Sequence, residues 1–263
     1  YPIYVLKMGI FGAALATAIS QTIGGCVPFI YFIRENKSLL RLVKTKFELS
    51  PILKACSNGS SEMVTNLSMS VVNMLYNFQL IKYAGTNGVV AYGIIMYVGF
   101  LFSGTYIGYS IGTAPIIGYH YGAENIEELK SLLKKSLRLL GITAIVMTVL
   151  SEILAPLLAS IFVSYDKELL KMTVLAIRLF SLSYLISEIN IFASSFFTAL
   201  NNGFVSAVIS FLRTLLFQIA MIFLLPRFLG LNGIWLSVVV AEVLSLIVSI
   251  IFLLRNKQKY QYA

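Results

Sequence analysis

Charge is scarce in this chain. Only 12% of the 263 residues are Asp, Glu, Lys or Arg, where a soluble domain carries about a quarter. Acidic residues are scarcer still, at 11 against 20 basic ones. With 58% hydrophobic residues and a mean hydropathy of +0.86, this excludes an ordinary soluble globule and defines an integral membrane protein. Cysteine is almost absent: Cys26 and Cys56 lie at or near the ends of apolar runs, without metal-ligand spacing, and read as small apolar fillers. The single histidine, His120, has no partner for a metal or a triad and is expected in a loop. A nucleophile–base pair, a metal cluster and a phosphate loop are all missing, so the sequence reads as a non-enzyme with no cofactor. No signal peptide opens the chain, and it starts on Tyr1 rather than methionine. Its first residues read as a loop already leading into a helix, and a fragment is expected.

What the chain has in abundance is long apolar runs. Seven are long enough to cross a bilayer at about 1.5 Å per residue: roughly 9–33, 60–83, 89–118, 133–163, 169–200, 204–225 and 232–254. The net charge of +9 invites a nucleic-acid reading, but the basic residues sit in short loops between these runs. Thirteen Lys and Arg fall in the loops 34–54 and 119–138 and the C-terminal tail, against five on the opposite side. Arg178 and Arg213 fall inside spans. This bias places the C-terminus in the cytoplasm and residue 1 outside, and concerns orientation rather than nucleic acid.

Polar residues inside the runs are organised. In 58–77, NGSSEMVTNLSMSVVNMLYN, take Glu62 as zero on a helix advancing 100° per residue. Asn73 then falls at about 20°, Asn66 at about 40°, Asn77 at about 60° and Ser70 at about 80°, with Thr65 just off the other edge. Such a stripe does not face lipid and must turn to protein or water. A second stripe, Ser183, Ser187, Asn190, Ser194, Thr198 and Asn201, spans about 80° of the fifth run, with Glu188 roughly 100° off its centre. The sixth run adds Ser206, Ser210, Arg213, Thr214 and Gln218 on one broad face. Three helices with polar faces predict a shared interior cavity, with the first stripe facing the second. In the third run Gly104, Gly108 and Gly112, followed by Pro115, predict a close helix approach, with a hinge as the lesser reading.

The ends of the chain resemble each other. Gly9-Ile-Phe-Gly12 and Gly230-Leu-Asn-Gly233 each follow a Pro-x-aromatic triplet and open a span that ends in basic residues. The two copies enter the membrane from the same side, so the repeat is parallel, and one unit contains six helices. Two-lobed transporters are built on such repeats, with the site between halves.

Together, GIFGAALATAISQ (9–21), GSSEMVTNLSMSVVNMLYNFQL (59–80), PIIGYHYGAEN (115–125) and FLRTLLFQIAMIFLLPRFLGLNGIWLSVVVAE (211–242) resemble the multidrug and toxic compound extrusion (MATE) family. The resemblance covers essentially the whole chain. It implies an all-α integral membrane fold of seven transmembrane helices. These are the last helix of one six-helix lobe (1–33), a cytoplasmic inter-lobe linker (34–59) and a complete second six-helix lobe (60–263). It further implies an antiporter of the cell (plasma) membrane, multi-pass, exporting organic compounds, cationic ones included, by alternating access. The coupling ion is Na⁺ or H⁺, and the partners are the small-molecule substrate, membrane lipid and the missing N-terminal lobe. Family members often carry an acidic residue near the position of Glu62, and some a second on the helix holding Glu188. The site residues expected to bind substrate or ion are therefore Glu62, Asn66, Asn73, Asn77, Ser187, Glu188, Asn190 and Ser194.

The remaining carboxylates in or near spans have bland readings beside this one. Glu152 reads as a structural or surface group, and Glu242 as a partner for Arg213 or for Ser245 and Ser249. Tyr76, Tyr92, Tyr97, Tyr106 and Tyr109 are candidates for stacking on a cationic aromatic compound, against ordinary packing. Two other functions stay open. A lipid-linked oligosaccharide flippase of the same superfamily would want a cationic cavity, for which only Arg178 and Arg213 are at hand. A seven-helix receptor or light-driven protein fits the topology, but the last span has no lysine for a retinal Schiff base.

Overall fold

The computed structural model describes residues 9–34 and 48–262, and each regular element among them is a helix. The chain divides into two compact units, Tyr1–Leu49 and Ser50–Ala263. In the first, α1 (Gly9–Ile33) is a 25-residue rod, long enough to cross the hydrocarbon. Most of the expected basic loop, including Lys37, Arg41, Lys44 and Lys46, lies outside the described residues, as does the Pro2–Tyr4 triplet.

The second unit opens with α2 (Leu49–Gly122), whose 74 residues are far too many for one crossing. Gly85 divides it, with φ 60° and ψ −151°, a conformation that only glycine enters without strain. The limbs 49–84 and 86–122 fold back on one another. Tyr76 stacks on Tyr92 with centroids 5.0 Å apart, and the Tyr92 hydroxyl donates to Asn73 Oδ1 at 2.6 Å. The helix starts at Leu49, ahead of the start at 60 that hydropathy suggests. His120 is likewise helical, in the last turn of α2, rather than in a loop.

Side-chain caps set the next boundaries. Asn125 accepts from the Glu128 amide at the start of α3 (Ile126–Val163). Asp166 accepts from the amides of Glu168 and Leu169 at the start of α4 (Lys167–Ser181). Both caps satisfy amides that the first helical turn leaves open. The fifth run is not the single helix its hydropathy predicts. It breaks after Ser181, and α5 (Tyr184–Ala199) continues at 47° to α4. The sixth run is also composite: α6 (Gly203–Phe211), a π-helical turn (Leu212–Leu216) and α7 (Phe217–Leu224). After α8 (Pro226–Leu229), Gly230 turns the chain at φ 54° into α9 (Leu231–Tyr260). Taking α4–α5 and α6–α7 as single bent spans, and the limbs of α2 as two, the described residues offer seven crossings.

Two apolar cores hold the second unit. One gathers Leu80, Ile95, Ala155, Ala159 and Trp235, the other Leu129, Phe192, Phe196, Phe197 and Ile209. Beyond α9 the chain reverses at Gln261, φ 53°, and Tyr262 packs edge-on against Phe196. Its hydroxyl donates to the Leu253 carbonyl at 2.7 Å. Burial, reinforced by Tyr260, pushes this phenol well above its ordinary range, so it remains a donor.

The glycines of the third run do not pack as expected. A Cβ at Gly104, Gly108 or Gly112 would meet nothing within 4 Å, so no helix described here approaches that face. The close approach is elsewhere, at the α5–α6 turn. A Cβ on Gly203 would lie 2.6 Å from Asn58 Cα and from the Ser57 carbonyl oxygen. Gly203→Ala is therefore expected to cost about 1–3 kcal/mol by overpacking. The check is the thermal midpoint of the purified protein, and an unchanged midpoint would show that the contact yields.

Candidate functional site

Four of the expected residues sit on α2, and the structure leaves them close to their own helix. Glu62 and Asn66 are exposed, and the Asn66 amide donates to the Glu62 backbone carbonyl at 2.9 Å. Asn77 donates to the Asn73 carbonyl at 2.9 Å, and Asn73 accepts from Tyr92. The other four sit on α5. Ser187, Glu188 and Asn190 are buried and Ser194 is half-buried. No hydrogen bond among the described residues joins the α2 group to the α5 group. The expected facing of the two stripes is therefore not what the structure shows: hydrogen bonds between their helices run from Asn58 to the Thr198 carbonyl and from Ser195 to the Ser110 carbonyl, and neither involves one of the eight expected residues.

The α5 stripe turns instead to α6 and α9. Ser194 lies 2.9 Å from the hydroxyls of both Ser206 and Ser210, and Ser206 lies 2.7 Å from Thr198. Deeper in the unit, Asn190 donates to Glu242 Oε2 at 2.7 Å and to the Glu242 backbone carbonyl at 3.0 Å. Its own oxygen accepts from Ser249 at 3.0 Å, which fixes the orientation of the amide. Arg213, on the π-helical turn, donates through Nε to both carboxylate oxygens of Glu242, at 2.9 and 3.0 Å. Of the two readings open for Glu242, the pairing with Arg213 is the one present, with Ser249 one step away. Arg178 meets Glu152 at 3.7 Å, and Ser181 donates to that carboxylate at 3.0 Å.

Glu188 is different. It is 0% exposed, and its one hydrogen-bond donor is the Thr143 hydroxyl, 2.6 Å from Oε2. Oε1 has no partner among the described residues, and neither ion pair found there includes this carboxylate. Glu188 leaves the stripe because it faces α3 while the stripe faces α6 and α9. α5 packs against α3 as well as against α6 and α9, so this residue off the polar stripe is still interior.

A cavity of about 280 Å³ lies between the limb 86–122 and α3, lined by Thr105, Tyr106, Tyr109, Leu139, Leu140 and Thr143. Thr143 is thus both a wall of the cavity and the donor to Glu188. Tyr106 is the opposite wall. It is itself buried, with 4% of its surface exposed. Tyr109 is tied by its hydroxyl to Ser136 at 2.9 Å, leaving its ring to the cavity. Of the other tyrosines considered for stacking, Tyr76 and Tyr92 are occupied with each other and Tyr97 is 72% exposed, against Phe162.

Counted along their helices, Tyr106, Thr143, Glu188, Arg213 and Glu242 all stand well inside their spans. Two carboxylates and a guanidinium at that depth are expensive and are kept in membrane proteins for function. Sequence reasoning missed Thr143 altogether and kept Arg213 and Glu242 off the site. The signal for the pair was the presence of opposite charges inside consecutive spans.

Fold and site together define a polytopic helical membrane protein with a charged interior. The MatE family model matches residues 62–224, more than half of the chain, and the protein belongs to that family. A multidrug export protein MepA of Staphylococcus haemolyticus is 26% identical over 261 residues, and one of Staphylococcus aureus is 23% identical. Each alignment covers 97% of this chain and 56% of the relative, so the chain spans a little over half their length. Among solved structures, one described as MATE in complex with MaL6 superposes with a TM-score of 0.89 at 20% identity, covering 100% of this chain and 60% of that one. An outward-facing multidrug resistance MATE family transporter of the MOP superfamily gives 0.88 at 22%, covering 99% and 59%. These superpositions bear out the all-α membrane fold expected from the resemblance.

Proposed function

We infer that this chain forms the C-terminal half of a cation-coupled exporter, an antiporter that moves organic compounds, cationic ones included, out of the cell by alternating access. The observation that carries the reading is Glu188: fully buried, inside its span, held by one hydroxyl and without a counter-charge. A carboxylate in that setting is stable when it holds a proton or a metal cation such as Na⁺, and it becomes available to a cationic compound once that ion leaves. Exchange at one carboxylate is sufficient for antiport, because each ligand shifts the conformational equilibrium by its own differential affinity. The relatives' greater length supports a second lobe closing the other side of the cavity, with the C-terminus in the cytoplasm as the basic loops indicate. In that arrangement the stripe Glu62, Asn66, Asn73 and Asn77, exposed at Glu62 and Asn66, lines the passage toward the second lobe.

The test is efflux of a fluorescent cation from vesicles holding the full-length protein, with Na⁺ and proton gradients imposed separately. One inward gradient accelerates efflux on this account, and equal rates with and without both gradients refute it. Glu62→Gln in the same vesicles is expected to slow efflux without abolishing its gradient dependence. Wild-type rates from that variant would remove Glu62 from the pathway.

A further inference from the structure

The first half of α3 is divided between an apolar and a basic face. Leu129, Leu133 and Leu140 are buried, whereas Lys130, Lys134, Lys135 and Arg138 are all exposed. Neither ion pair found among the described residues includes any of the four. Lys130, Lys134 and Arg138 recur at every fourth position, so they fall within about 80° of arc and rise about 12 Å along the helix. With Lys130 as zero, Ile145, Val149 and Ile142 fall at about 60°, 100° and 120°. They continue the same side of the helix and are 59%, 49% and 61% exposed. From Leu139 to Val163 the helix carries one charged residue, Glu152, and measures about 37 Å, enough to cross the hydrocarbon. Arg138 therefore stands at the hydrocarbon boundary, with Lys134 about 6 Å and Lys130 about 12 Å farther out. Glu124, Glu127 and Glu128 lie beyond them, around the Asn125 cap.

A second basic segment reaches the same end of the unit. Leu254 is 67% exposed, and Arg255, Lys257 and Lys259 follow it, all exposed. Tyr260 and Tyr262 share one apolar core with Leu129 and Leu133, so the end of α9 and the start of α3 flank the same core. At the opposite end the charge is mixed, with Asp166 and Glu168 beside Lys167 and Lys171. We propose that the outer face of α3 binds an anionic phospholipid: Lys130, Lys134 and Arg138 hold its phosphate, and an acyl chain runs down Ile142, Ile145 and Val149. Ammonium and guanidinium groups at headgroup depth donate charge-assisted hydrogen bonds to phosphate oxygens. A free anion would use the basic half of this face and leave the apolar half bare, whereas an amphiphile uses both. A zwitterionic lipid brings its own ammonium to a cationic surface and gains less. The basic residues of α9 add to the attraction from the far side of the shared core.

The test titrates the full-length protein in detergent micelles with phosphatidylglycerol or with phosphatidylcholine, and counts bound lipid by native mass spectrometry. Wild type is expected to bind phosphatidylglycerol more tightly, on the order of tenfold or more. Each Lys or Arg near an anionic lipid is worth about fivefold. The triple variant Lys130→Gln/Lys134→Gln/Arg138→Gln is therefore expected to lose phosphatidylglycerol affinity on the order of a hundredfold and to keep its affinity for phosphatidylcholine. Lys167→Gln/Lys171→Gln/Arg227→Gln removes the same charge from the opposite end and is expected to bind phosphatidylglycerol as wild type does. Equal wild-type affinity for the two lipids, unchanged phosphatidylglycerol binding in the first variant, or the same loss in the second overturns the assignment. So does displacement of the lipid by millimolar inorganic phosphate, which would make the ligand a free anion. Should the first triple variant fail to fold, Lys134→Gln alone decides, by a loss of about fivefold or none.

Discussion

Replacing Glu188 by glutamine is expected to uncouple the protein: gradient-driven efflux of a cationic dye falls to the gradient-free rate, while the protein remains folded. Glutamine is nearly isosteric and still accepts from Thr143, so the packing between α5 and α3 survives. What is lost is the ability to take up and release a cation. A wild-type Glu188 with no neighbouring guanidinium gains its whole charge balance from that ion, which is why the effect is large. The loss in gradient stimulation is expected to be on the order of tenfold to a hundredfold, the usual range of coupling between two ligands. The measurement is initial efflux from vesicles with and without the gradient, and retention of full stimulation by Glu188→Gln would exclude this carboxylate as the coupling group.

The second large effect concerns the ion pair. Glu242 is nearly inaccessible, with a 4% exposed side chain, and is held by Arg213 and Asn190 together. Removing one member leaves the other charge buried and unpaired, at a cost of about 3–5 kcal/mol. Arg213→Gln and Glu242→Gln are each expected to lower the thermal midpoint of the detergent-solubilised protein sharply. The double variant Arg213→Gln/Glu242→Gln is expected to recover most of that loss, since two neutral amides at hydrogen-bond distance replace two charges. Additive losses in the double variant would mean that the two side chains act independently.

Much of the fold was legible because the constraint is severe. A bilayer demands apolar runs of known length, and the runs appear in the sequence at close to their structural positions. The breaks within them were not legible. Hydropathy averages over a window, and the interruption at Leu182 and Ser183 carries neither proline nor glycine to announce it. The π-helical turn at Leu212–Leu216 is similarly silent, yet it is where Arg213 departs from the helix toward Glu242.

The site was half legible. Angular arithmetic found the interior stripe of Ser187, Asn190 and Ser194, because those residues do share a face. It discounted Glu188 because it presumed that a helix has one buried face. In this unit α5 is enclosed by α3, α6 and α9, so the off-stripe position meets Thr143 rather than lipid. The same arithmetic put Glu62, Asn66, Asn73 and Asn77 on one face, along which Glu62 and Asn66 are exposed while Asn73 and Asn77 are half-buried and Asn73 accepts from Tyr92. Thr143 was beyond reach, since a lone threonine in an apolar run has no signature until a carboxylate is found beside it.

Central to the account is competition between ion and compound at Glu188, and it is tested most directly by what binding displaces. Rhodamine B ethyl ester added to the purified full-length protein in weak buffer is expected to release about one cation per molecule bound, either a proton or Na⁺, followed by pH and by ²²Na⁺. In Glu188→Gln that release vanishes. Release of the same size from the variant, or none from wild type despite binding, would contradict the account.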